Sequence, residues 1–404
     1  MGKKRASKIS RWLLRKIYDG CGQPALRFVL WDGTEVSNPD KPAAVLHIRN
    51  SSALYKLVIN PEYYFGEGYV NGGLDVEGHM STLLETIFLS LRQKNPSPYS
   101  AFRRALYFLA KRRRTNSLRG SRKNIHHHYD MGNDFYSLWL DKEMQYSGAY
   151  FSSTEVTLED AQKAKMEYIC RKLWLKPGDT VVDGGCGWGG LAKHMALNHG
   201  VRVRAFNISD EQIRFARERA KAEGWNDRVE FIQDDYRNIT GKYDAFASVG
   251  ALEHVDPSRF RELGHILHRC LNDSGRGLIQ TIGRNRFTPM QSWMEKRIFP
   301  GAHPPSIREM MDIFEYHNFS ILDVENLRLH YAQTVEHWLR RYEKNIDKIT
   351  EMFDIPFTRT WRLYLASVIA GFNTGQLQLF QVVFSRPGNN IIPQTRAHLY
   401  TEQN

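Results

Sequence analysis

Three glycines at alternate positions behind an aspartate, in the run Val181-Val182-Asp183-Gly184-Gly185-Cys186-Gly187-Trp188-Gly189-Gly190, form the stretch best suited to chemistry. Thr180 to Asp183 reads as a buried strand and Leu191 onward as a helix. The glycines therefore make a tight turn whose backbone can approach a ligand without interference from a Cβ. That is a site for the edge of a nucleotide, although the spacing alone leaves a purely structural turn open. The dinucleotide pattern G-x-G-x-x-G is absent, and the order is D-x-G-x-G-x-G. Other polar groups follow downstream: Asn207, Ser209 and Gln212, then Asp235-Tyr236-Arg237, then Gly250 and the pair Glu253-His254. His126-His127-His128-Tyr129-Asp130 suggests a metal tract in isolation. Three adjacent histidines rarely converge on one ion and no second ligand cluster is apparent, so no metal is expected. That segment reads instead as a lid, with Met144-Gln145-Tyr146-Ser147 bringing hydroxyls to the ligand.

The elements that must position these groups alternate regularly. Strands are expected near 179–183, 201–206, 229–232, 243–249 and 277–282, with helices between them and a long helix over 158–173 ahead of the first. This alternation predicts an α/β fold with a mostly parallel sheet covered on both faces. Ligands of such sheets bind at the carboxyl ends of the strands, and the glycine turn, Asn207 to Gln212, Asp235 to Arg237 and Gly250 to His254 each lie at one of those ends. Ahead of this region, Leu26 to Trp31 and Ala43 to Ile48 read as short strands. The Tyr63 to Val76 stretch, rich in glycine and aromatics, reads as turns, and a helix is expected over 81–91. The domain expectation is a small α+β docking domain over 1–95, a basic helical linker over 96–123 and a cofactor domain over 124–404.

Composition narrows the partners. With 404 residues, 42% hydrophobic and 12% aromatic, the chain has material for two globular domains. Its four cysteines lack C-x-x-C spacing, which argues against a disulfide framework or zinc site and fits a reducing cytosol. No apolar run approaches a bilayer span. The formal charge of +12 is concentrated, since no acidic residue occurs from Thr86 to Tyr129 while lysines and arginines accumulate. Such a block attracts a polyanionic surface. Residues 1–18 are basic and amphipathic, with Ile9, Trp12, Leu13 and Ile17 at helical spacing, and suit either a membrane surface or packing onto the domain.

The D-x-G-x-G-x-G turn resembles the first motif of S-adenosylmethionine-dependent methyltransferases. More specifically, residues from about His126 to Arg386 resemble the cyclopropane-fatty-acid synthase and mycolic acid cyclopropane synthase family. The matching strings are His127-His128-Tyr129-Asp130, Met144-Gln145-Tyr146-Ser147, the glycine turn, Ser248-Val249-Gly250 with Glu253-His254, Thr281-Ile282-Gly283, Ile298-Phe299-Pro300-Gly301 and Gln381 to Arg386. Gly66-Glu67-x-Tyr69 is similar to the extra domain of the phospholipid-modifying members.

The resemblance implies a class I, Rossmann-like methyltransferase with a seven-stranded sheet. It implies S-adenosylmethionine held by Tyr129, Tyr146, Ser147, Asp183, Gly185, Cys186, Gly187, Trp188, Gly189, Asn207, Ser209, Gln212, Asp235, Tyr236, Arg237 and Gly250. In that role Asn207 and Gln212 would meet the ribose and Tyr236 the adenine. The implied reaction is methyl transfer to the cis double bond of an acyl chain in a membrane phospholipid, by an enzyme on the inner, cytoplasmic face of the membrane, with a homodimer expected and no nucleic-acid partner. Family members use bicarbonate as the base that removes a proton after transfer. Carried over by position, its contacts fall on Gly148, Glu253, Gln280, Ile282 and Tyr331, with His254 beside them; glycine stands where the family has cysteine and glutamine where it has histidine. This departure implies either a cyclopropane or a methyl-branched unsaturated product. Rival readings are a small-molecule amine N-methyltransferase, which needs no N-terminal domain, an RNA methyltransferase, for which no RNA-binding motif is present, and a non-catalytic lipid-binding protein.

Overall fold

Ser7 starts the first helix, Lys8–Gly20 (α1), by accepting a hydrogen bond from the Ser10 amide in the computed structural model, which describes residues 5–37, 40–93 and 131–400. Ser10, Leu14 and Tyr18 face inward along α1, at the spacing of one helical face. Four short strands follow as a sheet of order β2-β1-β3-β4: Arg27–Leu30 (β1), Glu35–Ser37 (β2), Val45–Ile48 (β3) and Leu74–Glu77 (β4). Between β3 and β4 lie Ser51–Ile59 (α2) and Pro61–Val70 (α3), and Met80–Gln93 (α4) follows. The stretch expected as turns is thus largely helical. Asn60 caps α3, Pro61 begins it, and Gly66 and Gly68 sit inside it because Trp293 and Leu74 occupy the space their Cβ atoms would need.

These elements form one compact unit with residues from far along the chain, Thr288–Pro300 and Val335–Gln376. Ser292–Arg297 (α10) packs on α3, where Arg297 makes a two-pronged ion pair with Glu67 at 2.8 and 2.7 Å. Ile355–Asn373 (α14) packs on α4 and α3, and its Arg359 donates to the carbonyls of Tyr69 and Leu74 while lying 4.0 Å from the Tyr69 ring centre. The packing units therefore do not follow the linear boundaries read from the sequence. The expected linker, 96–123, and the His126 to Asp130 segment, Tyr129 included, lie outside the described residues.

Among the described residues, the second unit comprises 131–287, 301–334 and 377–400. Its seven strands are Thr180–Gly184 (β5), Arg202–Asn207 (β6), Val229–Gln233 (β7), Tyr243–Val249 (β8), Leu271–Gly283 (β9), Ser320–Asn326 (β10) and Gln378–Ser385 (β11), in the order β10-β11-β9-β8-β5-β6-β7. The five strands β5 to β9 are parallel, and at one side β11 runs antiparallel between β9 and β10, so β10 points the same way as the five. One face is covered by Leu158–Lys172 (α6) and Gly190–His199 (α7), through Met166, Ile169, Leu191 and Met195. The other is covered by Phe260–Cys270 (α9) and Ile307–Phe314 (α11), through Leu263, Leu267, Ile313 and Phe314. From β5 the chain winds outward to β7, then crosses to β8 on the opposite side of β5. The crevice at the carboxyl ends of β5 and β8 is the switch point where such sheets take ligands.

A methyl group added at position 66 would come within 2.4 Å of the Trp293 ring, which is buried. Gly66→Ala is expected to destabilise the first unit by roughly 1–3 kcal/mol. Thermal unfolding of the variant checks this, and an unchanged midpoint would contradict the packing of α10 on α3.

Candidate functional site

The glycine turn occupies the crevice because only backbone fits there. Gly185 has φ +100°, a conformation that L side chains rarely adopt, and a Cβ on it would lie 2.7 Å from that of Ala251. The amides of Gly185 and Cys186 both donate to the Phe206 carbonyl, tying the turn to the end of β6. A cleft opens above it, lined by Asp183, Gly185, Cys186, Gly187 and Trp188 from the turn and by Tyr146 and Ser147 from the segment before α6. Asn207, Gln212, Asp235, Tyr236, Arg237, Gly250 and His254 line the rest. Thirteen of the sequence-derived cofactor candidates thus share one cavity together with His254. Two do not line it: Gly189 begins α7 with φ +83°, and Ser209 is buried, its hydroxyl capping Asp210–Glu223 (α8) through the Gln212 amide. Ser209 is therefore a helix cap here and not a cleft-lining hydroxyl.

Polar groups around the cleft are arranged in pairs. Asn207 donates to Gln212 Oε1 at 2.7 Å and to the Gly187 carbonyl at 3.3 Å. Asp235 takes both prongs of Arg237, at 2.7 and 2.8 Å, so its carboxylate is already matched. Tyr236 is left with its ring toward the cleft. Asp183 differs from these, because it is buried and its Oδ2 has no hydrogen-bond partner among the described residues. Burial pushes its carboxyl up to about 7, against the opposing pull of Lys165. On the lid side, Trp188 donates to Asn133 at 2.7 Å, and its ring packs 5.1 Å from Tyr136, which in turn packs on Tyr146 and Trp139.

A second chain of contacts links the residues proposed for the reacting end. Glu253 lies in a short 3-10 turn after β8, and its Oε1 accepts from the Ile282 amide at 2.5 Å. Its Oε2 is buried without a partner among the described residues, and burial lifts the carboxyl to about 7. His254, by the same cause, is pulled down to about 4 and is neutral near pH 7. Ile282 pairs across the sheet with Leu379, whose Cδ2 stands 2.7 Å from where a Cβ on Gly148 would lie; the Tyr331 ring is 3.1 Å from that point. Gln280, fully buried, accepts from the side-chain amide of Gln381 at 2.7 Å and passes its backbone carbonyl to Gly250.

Comparison with known proteins agrees with this architecture. The profile of the mycolic acid cyclopropane synthetase family matches residues 116–382. The chain belongs to that family. Residues 17–95 match a separate domain of unknown function. A probable fatty acid methyltransferase of Pseudomonas putida is 31% identical over 93% of this chain and 96% of its own. The cyclopropane-fatty-acyl-phospholipid synthase of Escherichia coli K12 is 39% identical, over 65% of this chain and 68% of its own. A mycolic acid cyclopropane synthase crystallised with SAH and CTAB superposes with a TM-score of 0.62 at 27% identity, covering 65% of this chain and 98% of that one. This cyclopropane synthetase-family protein is an S-adenosylmethionine-dependent methyltransferase that acts on lipid acyl chains.

The residues present fit the sulfonium donor. Asp183 offers an unmatched carboxylate oxygen to a cationic amine, the Gly185 to Gly187 backbone leaves room beside it, and Asn207, Gln212 and Tyr236 suit a ribose and an adenine. They reproduce the bicarbonate cradle implied by the resemblance only in part: Gln280 Nε2 is a buried donor without a partner among the described residues and Glu253 Oε2 is likewise unmatched, but two other contacts are lost. No side chain exists at Gly148, Leu379 and Tyr331 fill the space one would take, and the Ile282 amide is already given to Glu253.

Several functional positions escaped the sequence reading. Gln162 and Lys165 on α6, and Leu379 on β11, carry no local motif; only the packing brings them to the site, and for Gln381, which opens a family-matching string, the sequence does not show its contact with Gln280. The same holds for Cys170, His194 and His199, whose donor atoms lie within 4.8 Å of one another. There Glu167 accepts from both imidazoles, at 3.2 and 3.0 Å, and is also held by Arg171, so the group is complete without an ion.

A raised folded-state pKa makes Glu253 a pH-dependent liability. Between its ordinary value of 4.5 and about 7 the folded chain holds a proton that the unfolded chain has released, so its contribution to stability falls as pH rises through that window. Glu253→Gln is expected to raise stability above neutral pH, by on the order of 3 kcal/mol, and to leave it unchanged near pH 4. Denaturation of both proteins across this range measures the difference, and an equal effect at both ends would contradict the burial.

Proposed function

We propose that the enzyme methylates the cis double bond of an unsaturated acyl chain in a membrane phospholipid and releases a methyl-branched chain that keeps a double bond. The donor supplies an electrophilic methyl group, and the alkene's π electrons form the new carbon–carbon bond, leaving a cation on the neighbouring carbon. Loss of a proton from that cation sets the product. If the proton leaves the adjacent chain carbon, a branched alkene results; if it leaves the added methyl, a ring closes.

The closed position 148 carries the choice between these outcomes. With Leu379 and Tyr331 packed where a family cysteine would reach, and the Ile282 amide given to Glu253, an anion that would take a proton from the new methyl loses two of its contacts and keeps Gln280 Nε2 as a donor. Glu253, with a free Oε2 and a carboxyl near 7, is the group proposed to accept the proton, and its ionised form stabilises the cation meanwhile. The P. putida relative that spans almost the whole chain is named a probable fatty acid methyltransferase, which supports the same reading.

Access to phospholipid is assigned to α1. Its inner face is packed, whereas Ile9 and Trp12 are 62% and 59% exposed on the outer face, among Lys8, Arg11, Arg15 and Lys16. An aromatic and an aliphatic side chain ringed by cations suit the headgroup region of an anionic leaflet. No helix among the described residues is long and apolar enough to cross the membrane.

Incubation with S-adenosylmethionine carrying a deuterated methyl and with unsaturated phospholipid vesicles tests the reading. The expected product is cleaved by ozone and retains the whole labelled methyl group, and its rate of formation rises with anionic lipid and falls with salt. An ozone-resistant product that has lost one deuterium would overturn the branched assignment. Glu253→Gln is expected to lower kcat by roughly 100-fold or more.

A further inference from the structure

Two polar side chains on α6 never reach solvent. Gln162 and Lys165 stand three residues apart, hence on one face of the helix, and both turn toward the segment that carries Gln145, Tyr146 and Ser147. Gln162 Nε2 donates to the backbone carbonyls of Gln145 at 3.3 Å and Ser147 at 2.8 Å. Lys165 Nζ donates to Gln145 Oε1 at 2.5 Å and to Ser147 Oγ at 3.1 Å. The backbone is thus held by one side chain and the side chains by the other. Gln145, Tyr146 and Ser147 all line the donor cleft.

A buried ammonium is costly unless charge of the opposite sign lies nearby. Lys165 has no such partner in direct contact among its hydrogen bonds, both of which go to neutral groups. The charged or titratable groups acting on it are Asp141, Asp183 and the Cys170 thiol. Asp141 is already occupied, accepting from the Glu143 and Gln145 amides. Asp183 retains the free oxygen, and Lys165 is the cation that opposes its desolvation.

We propose that Lys165 is a positioning residue of the donor site: its ammonium fixes the Gln145–Ser147 segment at the cleft wall and favours the ionised form of Asp183, which receives the cationic amine of the donor. The inference rests on the assignment of the cleft to S-adenosylmethionine. Asp183 is lifted to about 7 even with the lysine in place, so donor affinity rises with pH through that value. Without the lysine the carboxyl moves higher still, and the rise shifts to more alkaline pH. Burial lowers Lys165 to about 8, so its support for Asp183 is present at neutral pH and fades above that value.

Calorimetric titration of S-adenosylmethionine into the full chain, over roughly pH 5.5 to 7.5 and so below the ~7.7–8.0 at which the donor's α-amine loses its charge, tests this. Lys165→Met is expected to weaken binding about tenfold at neutral pH, the loss shrinking as pH rises. Asp183→Asn should remove the pH dependence, and adding Lys165→Met to it should weaken binding little further. Lys165→Arg keeps the charge and should keep the wild-type midpoint even if its bulk lowers affinity. A loss in Lys165→Met that is equal at every pH, or a shifted midpoint in Lys165→Arg, would overturn the proposal, leaving the lysine a packing element. Wild-type protein that fails to bind the donor would instead overturn the assignment of the cleft.

Discussion

Two carboxylates, Asp183 at the end of the first parallel strand and Glu253 after the fourth, are held away from water with one oxygen each left unmatched. Evolution of a stable core alone would match or remove such groups, because an unsatisfied buried acceptor costs on the order of 1–3 kcal/mol and a buried charge more. Their retention makes sense if the missing partner is a cation that comes and goes. Asp183 suits the protonated amine of the donor, and Glu253 suits a transient cation on the acceptor chain. Both carboxyls sit near 7 because desolvation outweighs the few groups that oppose it.

The sheet exists to hold these groups at one edge. Parallel strands buried on both faces put every strand end with a polar residue on the same side, and the change of direction between β5 and β8 opens the crevice between the two carboxylates' strands. Around it, neutral pairs such as Asn207 with Gln212 and matched ions such as Asp235 with Arg237 are complete in themselves. The contrast between satisfied and unsatisfied polar groups is therefore informative. At Asp183 and Glu253 it falls on groups that line or adjoin the cleft, whereas Asn207 and Gln212 would exchange their mutual bond for one to a ribose.

Much of this was legible in the sequence. The D-x-G-x-G-x-G turn, the regular alternation after residue 175 and the polar residues at strand ends are local patterns, and local patterns survive without a structure. What was not legible is contact between distant segments. Leu379 closing on Gly148, Gln381 bonding Gln280, and Lys165 beneath Gln145 and Ser147 join residues that no periodicity relates. The same limit explains why α10 and α14 pack with the first 93 residues and not with their neighbours in sequence. It also explains the helix over Pro61–Val70. Its glycines look like turn signals until Trp293 and Leu74 are seen to exclude any larger residue.

If the unmatched oxygen of Asp183 is where the donor's amine binds, donor binding must expel a proton, because the carboxyl is about half protonated near pH 7. Calorimetry in buffers of differing ionisation enthalpy reads this directly. The account predicts release of roughly half a proton per S-adenosylmethionine at neutral pH, abolished by Asp183→Asn. Donor binding with no proton exchanged, or with exchange that survives that substitution, would contradict it.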